Sequence, residues 1–85
     1  MTKAELLEYL AFAGEADADD IAQAFELPYP TAAMALLRAT RQGLLVRRLD
    51  PDEGLYWYNL SEHGQRRLAY FRGDTESSDS RRDNG

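Results

Sequence analysis

Eighty-five residues with three prolines, six glycines and no cysteine fit one small domain. Disulfides, thiolate metal sites and thiol nucleophiles are therefore excluded, and no stretch approaches the roughly 18 apolar residues of a membrane span. The formal charge of −5 is unevenly spread. Residues 1–30 carry Lys3 against seven acids, residues 31–72 carry seven arginines against four acids, and residues 73–85 return to a net −2. The opening Met-Thr-Lys-Ala-Glu-Leu-Leu-Glu has no basic segment followed by an apolar run, so a cytoplasmic, soluble protein is expected.

In chain order, Thr2-Lys3-Ala4-Glu5 matches the Ser/Thr-x-x-Glu capping box, in which a hydroxyl and a carboxylate each satisfy a backbone N–H at a helix start. Leu6, Leu7, Leu10 and Ala13 then recur at helical spacing, with Phe12 beside them and Gly14 as the stop, so a first helix is expected over about residues 3–13. Tyr9 is expected to be partly exposed. The four acids between Glu15 and Asp20 read as a helix start rather than a cation site. Asp17 suits an N-cap, and Asp19 and Asp20 fall in a first turn whose dipole favours negative charge. A second helix is expected from about Ala18 to Glu26, burying Ile21, Ala22 and Phe25, with Leu27 entering the turn.

Proline disfavours the α conformation in the residue before it, so Leu27 and Tyr29 should be extended and a third helix should begin near Pro30. It runs to about residue 42 and closes at Gly43, which can take a left-handed conformation. Ala32, Leu36 and Ala39 or Thr40 are its expected inner face. Tyr29, Pro30, Ala33, Met34, Leu37 and Arg41 are left outside, with Arg38 and Arg41 able to reach phosphates and Thr31 a base methyl or sugar.

Leu44–Leu49 and Leu55–Leu60 are strand-like and are separated by Asp50-Pro51-Asp52-Glu53-Gly54, whose composition makes a turn, so a hairpin is expected. Tyr56, Tyr58 and Leu60 share one face, with Tyr58 and Leu60 inside; Trp57 and Asn59 take the other. Arg47 and Arg48 point to opposite sides, available to phosphate or paired with Asp50, Asp52 or Glu53 at the tip. Ser61 then caps a short last helix ending near Arg72, with Gly64 allowing a close approach and Leu68 and Phe71 facing inward against the first helix. His63 and Ser61 lie two apart with no third group to orient the imidazole, so neither a nucleophilic pair nor any other enzyme constellation is expected, and no cofactor or metal is implied. The polar stretch 73–85 should be a disordered tail beside a folded unit at 1–72.

Helix, turn, helix and hairpin, closed by a short C-terminal helix, make an α+β winged helix-turn-helix of three helices and a two-stranded wing. Asp20-Ile-Ala-Gln-Ala-Phe-Glu-Leu, the Pro-Thr-Ala and Leu36-Leu37-Arg38 of the third helix, Gln42-Gly-Leu-Leu-Val-Arg-Arg48 and Tyr56-Trp-Tyr-Asn-Leu-Ser-Glu-His-Gly64 resemble winged helix-turn-helix regulators of the MarR, ArsR and PadR kind over about residues 3–72. The resemblance implies transcription regulation through double-stranded DNA, with the third helix in a major groove. By position, Tyr29, Pro30, Thr31, Ala33, Met34, Leu37, Arg38 and Arg41 would be the groove and phosphate contacts, with Arg47 and Arg48 on the wing. A homodimer or a protein partner is a further expectation. The apolar outer face of the third helix supports an alternative, a protein-interaction adaptor that buries Tyr29, Met34, Leu37 and Trp57 against another protein.

Overall fold

The computed structural model describes residues 1–73; the expected polar tail lies, from residue 74 onward, outside the described residues. Four helices and one hairpin follow in the order α1 (Lys3–Ala13), α2 (Ala18–Phe25), α3 (Tyr29–Arg41), β1 (Leu45–Asp50), β2 (Leu55–Leu60) and α4 (Glu62–Arg72). This is an α+β winged helix. The strands pair antiparallel in a single register that sets Arg47 opposite Tyr58, Arg48 opposite Trp57 and Leu49 opposite Tyr56.

Local chemistry places the helix ends. Thr2 Oγ1 accepts from the Glu5 N–H at 3.1 Å while the Glu5 carboxylate accepts from the Thr2 N–H at 2.6 Å, the reciprocal pair expected from the first five residues. These bonds hold the Glu5 carboxyl below its ordinary pKa. Asp17 and Asp20 repeat the arrangement at the head of α2, at 2.8 and 3.1 Å, so these acids serve the helix start. At the end of α3, Gly43 sits at φ +80°, its N–H donates to Thr40 O, and the Leu44 N–H reaches back to Ala39 O at 3.0 Å. That is a Schellman closure, with Leu44 and Ala39 both buried beneath it. The α2 end closes in the same way, the Leu27 N–H donating to Ala22 O at 2.9 Å, but there the left-handed residue is Glu26 at φ 55°.

Helix α3 begins at Tyr29, one residue before the expected start. Its first carbonyl acceptor is Pro28, which takes the Thr31 and Ala32 N–H groups at 3.0 and 3.1 Å. Pro30 is thereby the second helical residue, where a missing N–H is still harmless because no intrahelical acceptor precedes it.

The core joins Leu6, Leu7 and Leu10 of α1, Ile21 and Ala22 of α2, Ala32, Leu36 and Ala39 of α3, Leu44, Leu45, Tyr58 and Leu60 of the hairpin, and Leu68 of α4. Helix α4 packs on α1, and Arg72 Nε donates to Glu8 Oε2 at 3.2 Å across that contact. The Arg72 guanidinium holds the Glu8 carboxyl below its ordinary pKa. Four expected core positions are corrected. Ala13 and Phe71 are exposed, and Phe25 and Leu27 are only half-buried. Ala13 and Phe71 lie in the last turns of α1 and α4 on sides that no element covers, and Phe12 beside Ala13 is 90% exposed. Tyr9 is half-buried, edge to face with Phe25 at 5.8 Å between ring centroids.

Two tethers fix the hairpin base. Ala16, in the connection between α1 and α2, exchanges both backbone hydrogen bonds with Tyr58, at 2.8 and 3.0 Å. On the other side Leu44 O accepts the Ser61 N–H at 3.0 Å, and Gly64 packs directly on that carbonyl.

Candidate nucleic-acid interface

The burial of Ala32, Leu36 and Ala39 fixes which way α3 faces. Tyr29, Pro30, Thr31, Met34, Arg38 and Arg41 are exposed on its outer side, Tyr29 at 57% and Met34 at 48%, while Ala33 and Leu37 are half-buried along its flank. Met34, Arg38 and Arg41 follow one another at i, i+4 and i+7, so one stripe runs from an apolar N-terminal half into a cationic last turn. Neither Arg38 nor Arg41 has an ion-pair partner among the described residues, whereas Arg48, Arg66 and Arg72 each hold a carboxylate.

The wing arginines do not pair with the tip acids as one expectation had it. Arg47 lies on the face of Tyr56 and Tyr58 and sets its guanidinium over the Tyr56 ring, 4.1 Å from the centroid. Arg48 lies on the Trp57 face and pairs with Glu15 at 2.9 Å, not with the acids of the tip. Both remain exposed. The tip carboxylate that could have taken them is otherwise engaged. Asp50 Oδ1 accepts the Asp52 and Glu53 N–H groups at 3.0 and 3.4 Å, and its Oδ2 accepts the Trp57 indole N–H at 3.3 Å. The indole bond is the main reason the Asp50 carboxyl sits below the ordinary aspartate range, helped by the two turn amides and the Arg48 charge.

Between α3 and the wing lies a notch of about 200 Å³ bordered by Tyr29 and Ala33 of α3, Leu55, Tyr56 and Tyr58 of β2, and Asp17 and Asp19 at the start of α2. The sequence gives no sign that these aspartates stand beside the wing. They arrive there because Ala16 pairs with β2, and an isolated two-way backbone bridge has no side-chain signature. Nor does any local signal announce the Glu15–Arg48 pair, which spans 33 positions.

The architecture defines a winged helix-turn-helix, and comparison with known proteins agrees. A solved structure of a MarR family transcription regulator superposes with a TM-score of 0.75 at 24% identity, over 88% of this chain and 50% of that one. The chain thus spans half the length of the regulator it resembles in fold. No family model matches the sequence, and no curated protein matches it.

Proposed function

We propose that the protein is a DNA-binding transcriptional regulator that docks α3 in a major groove, with the wing beside the backbone. The observation that carries this reading is the pair Arg38 and Arg41, exposed on the outer face of α3 with no carboxylate partner among the described residues. Arginines left unpaired in so acidic a chain are available to phosphate, and a winged helix presents this helix to a groove. Arg47, held over Tyr56, and Arg48, exchangeable from Glu15, are the wing contacts; Tyr29, Pro30, Thr31, Ala33, Met34 and Leu37 supply the apolar and hydroxyl contacts of the groove face. The acids of the α2 start oppose the approach of a strand between helix and wing, so affinity is modest and strongly salt-dependent.

The test is fluorescence anisotropy with a generic duplex at low and at physiological salt. Arg38→Ala and Arg41→Ala should each weaken binding by about fivefold and lower the salt slope by about one. No binding at low salt, where counterion release is strongest, refutes the reading. A second reading, an adaptor that buries the outer face of α3 in another protein, is favoured by the exposure of Tyr29 and Met34. It predicts that Met34→Asp abolishes assembly while the arginine substitutions leave it intact.

A further inference from the structure

We infer that the notch between α3 and the wing is a binding site for a small organic cation, an ammonium or guanidinium carried on an apolar body. Tyr29, Tyr56 and Tyr58 line it, and ring faces attract cations. The Tyr56 ring already accepts one, the Arg47 guanidinium, which is not part of the notch lining.

The acids supply the charge. Asp17 Oδ1 receives the Asp20 N–H and Asp19 Oδ2 receives the Gln23 amide, so each keeps a second oxygen without a protein donor, and neither carboxylate has an ion-pair partner among the described residues. Against these two carboxylates stand about half an elementary charge at the positive end of α2 and the single Arg47 guanidinium over Tyr56, which leaves a net negative rim.

An independent observation points the same way. Tyr58 is only 7% exposed, and its hydroxyl has no hydrogen-bond partner among the described residues. Buried hydroxyls are normally satisfied, and a ligand N–H donating to this oxygen would satisfy it. The notch, at about 200 Å³, is smaller than the usual pocket for a full-sized ligand and suits a group the size of one side chain. Such a group comes either from a free amine or from a lysine or arginine of another protein. The site does not depend on DNA binding.

The experiment is an amide chemical-shift titration of the full chain with phenethylammonium chloride, with 2-phenylethanol as the neutral counterpart and Nα-acetyl-arginine amide as the side-chain probe. Saturable shifts at Asp19, Ala33, Leu55 and Tyr56 are expected, with the alcohol about tenfold weaker and with Asp19→Asn and Tyr29→Ala each costing about fivefold. Tighter binding of the arginine amide than of the amine assigns the site to a partner's side chain; the reverse assigns it to a free amine. Equal binding of alcohol and ammonium, unchanged affinity in both variants, or no saturable shift with either cation overturns the inference.

Discussion

Replacing Gly64 with alanine tests the packing of the fold at a single atom. Gly64 lies in the first turn of α4 with ordinary helical backbone, so helix propensity alone would reward the change by about 1 kcal/mol. An added Cβ, however, would stand 2.0 Å from the Leu44 carbonyl oxygen and 3.0 Å from its carbon. That is about 1.5 Å inside ordinary contact, and the obstacle is backbone, which cannot rotate away. Relief requires α4 to lift off the α3–β1 junction, which stretches the Ser61 N–H bond to Leu44 O, now 3.0 Å. Overpacking of about 3 kcal/mol and one weakened bond of about 1 kcal/mol, less the propensity gain, leave a net loss of roughly 3 kcal/mol. For a domain of this size the melting temperature should fall by about 12–24 °C. Thermal and urea unfolding, followed by circular dichroism, would read it. Gly54→Ala is the control, because Gly54 has φ +69° with nothing within 4 Å of an added Cβ, and it should cost only the backbone strain of about 1 kcal/mol. A Gly64→Ala protein as stable as the parent, or more so, would refute the close approach.

Further outcomes follow from the same geometry. Glu26→Gly should stabilise by about 1 kcal/mol in urea unfolding, since it relieves a left-handed non-glycine and removes a negative charge from a helix C-terminus. The Asp50 carboxyl is depressed, so its contribution is present above the unfolded-state pKa of about 3.9 and is lost as pH falls through the lower folded-state value. Fluorescence of the single tryptophan, Trp57, should therefore show an acid transition with its midpoint below about 3.9, and Asp50→Asn should abolish that step. Arg48→Ala should change stability by no more than about 0.5 kcal/mol, because its pair with Glu15 is exposed, and a larger loss in thermal unfolding would give that pair a structural role the geometry does not support.

The legibility of this fold in its sequence follows the range of the interactions involved. Thr2 with Glu5, Asp17, Gly43 and Ser61 act within a few residues of themselves, and the helices begin and end where they direct, to within a residue or so. The inner face of α3 is legible because Ala32, Leu36 and Ala39 recur at i, i+4 and i+7 toward Leu44, the buried residue that follows its close. Lateral limits were not readable. Ala13 and Phe71 continue the apolar periodicity of their helices and yet stay exposed, and a period carries no information about how much of a stripe the facing element covers. On the wing, the alternation of strand faces separated Arg47 from Arg48 correctly, but their partners depend on register and on the Ala16 bridge. Asp50, the tip acid nearest them in sequence, is spent on the turn and the indole instead. The notch is hidden for the same reason, as its acids stand about forty positions from Tyr56 and Tyr58 and no local rule connects them.

The double tether at the hairpin base gives the wing the mechanics of a cantilever. Its root is clamped on both sides, β2 through the Ala16 bridge at Tyr58 and the α3–β1 junction through Leu44 and Ser61, and only the span from Arg47 to about Trp57 overhangs. Bending is then confined to that overhang, while the separation between α3 and the root is rigid. Amide exchange should be slowest at Ala16 and Tyr58 and quicken outward along both strands. Whatever enters the space between helix and wing meets a gauge of fixed width, and accommodation falls to the tip or to the guest.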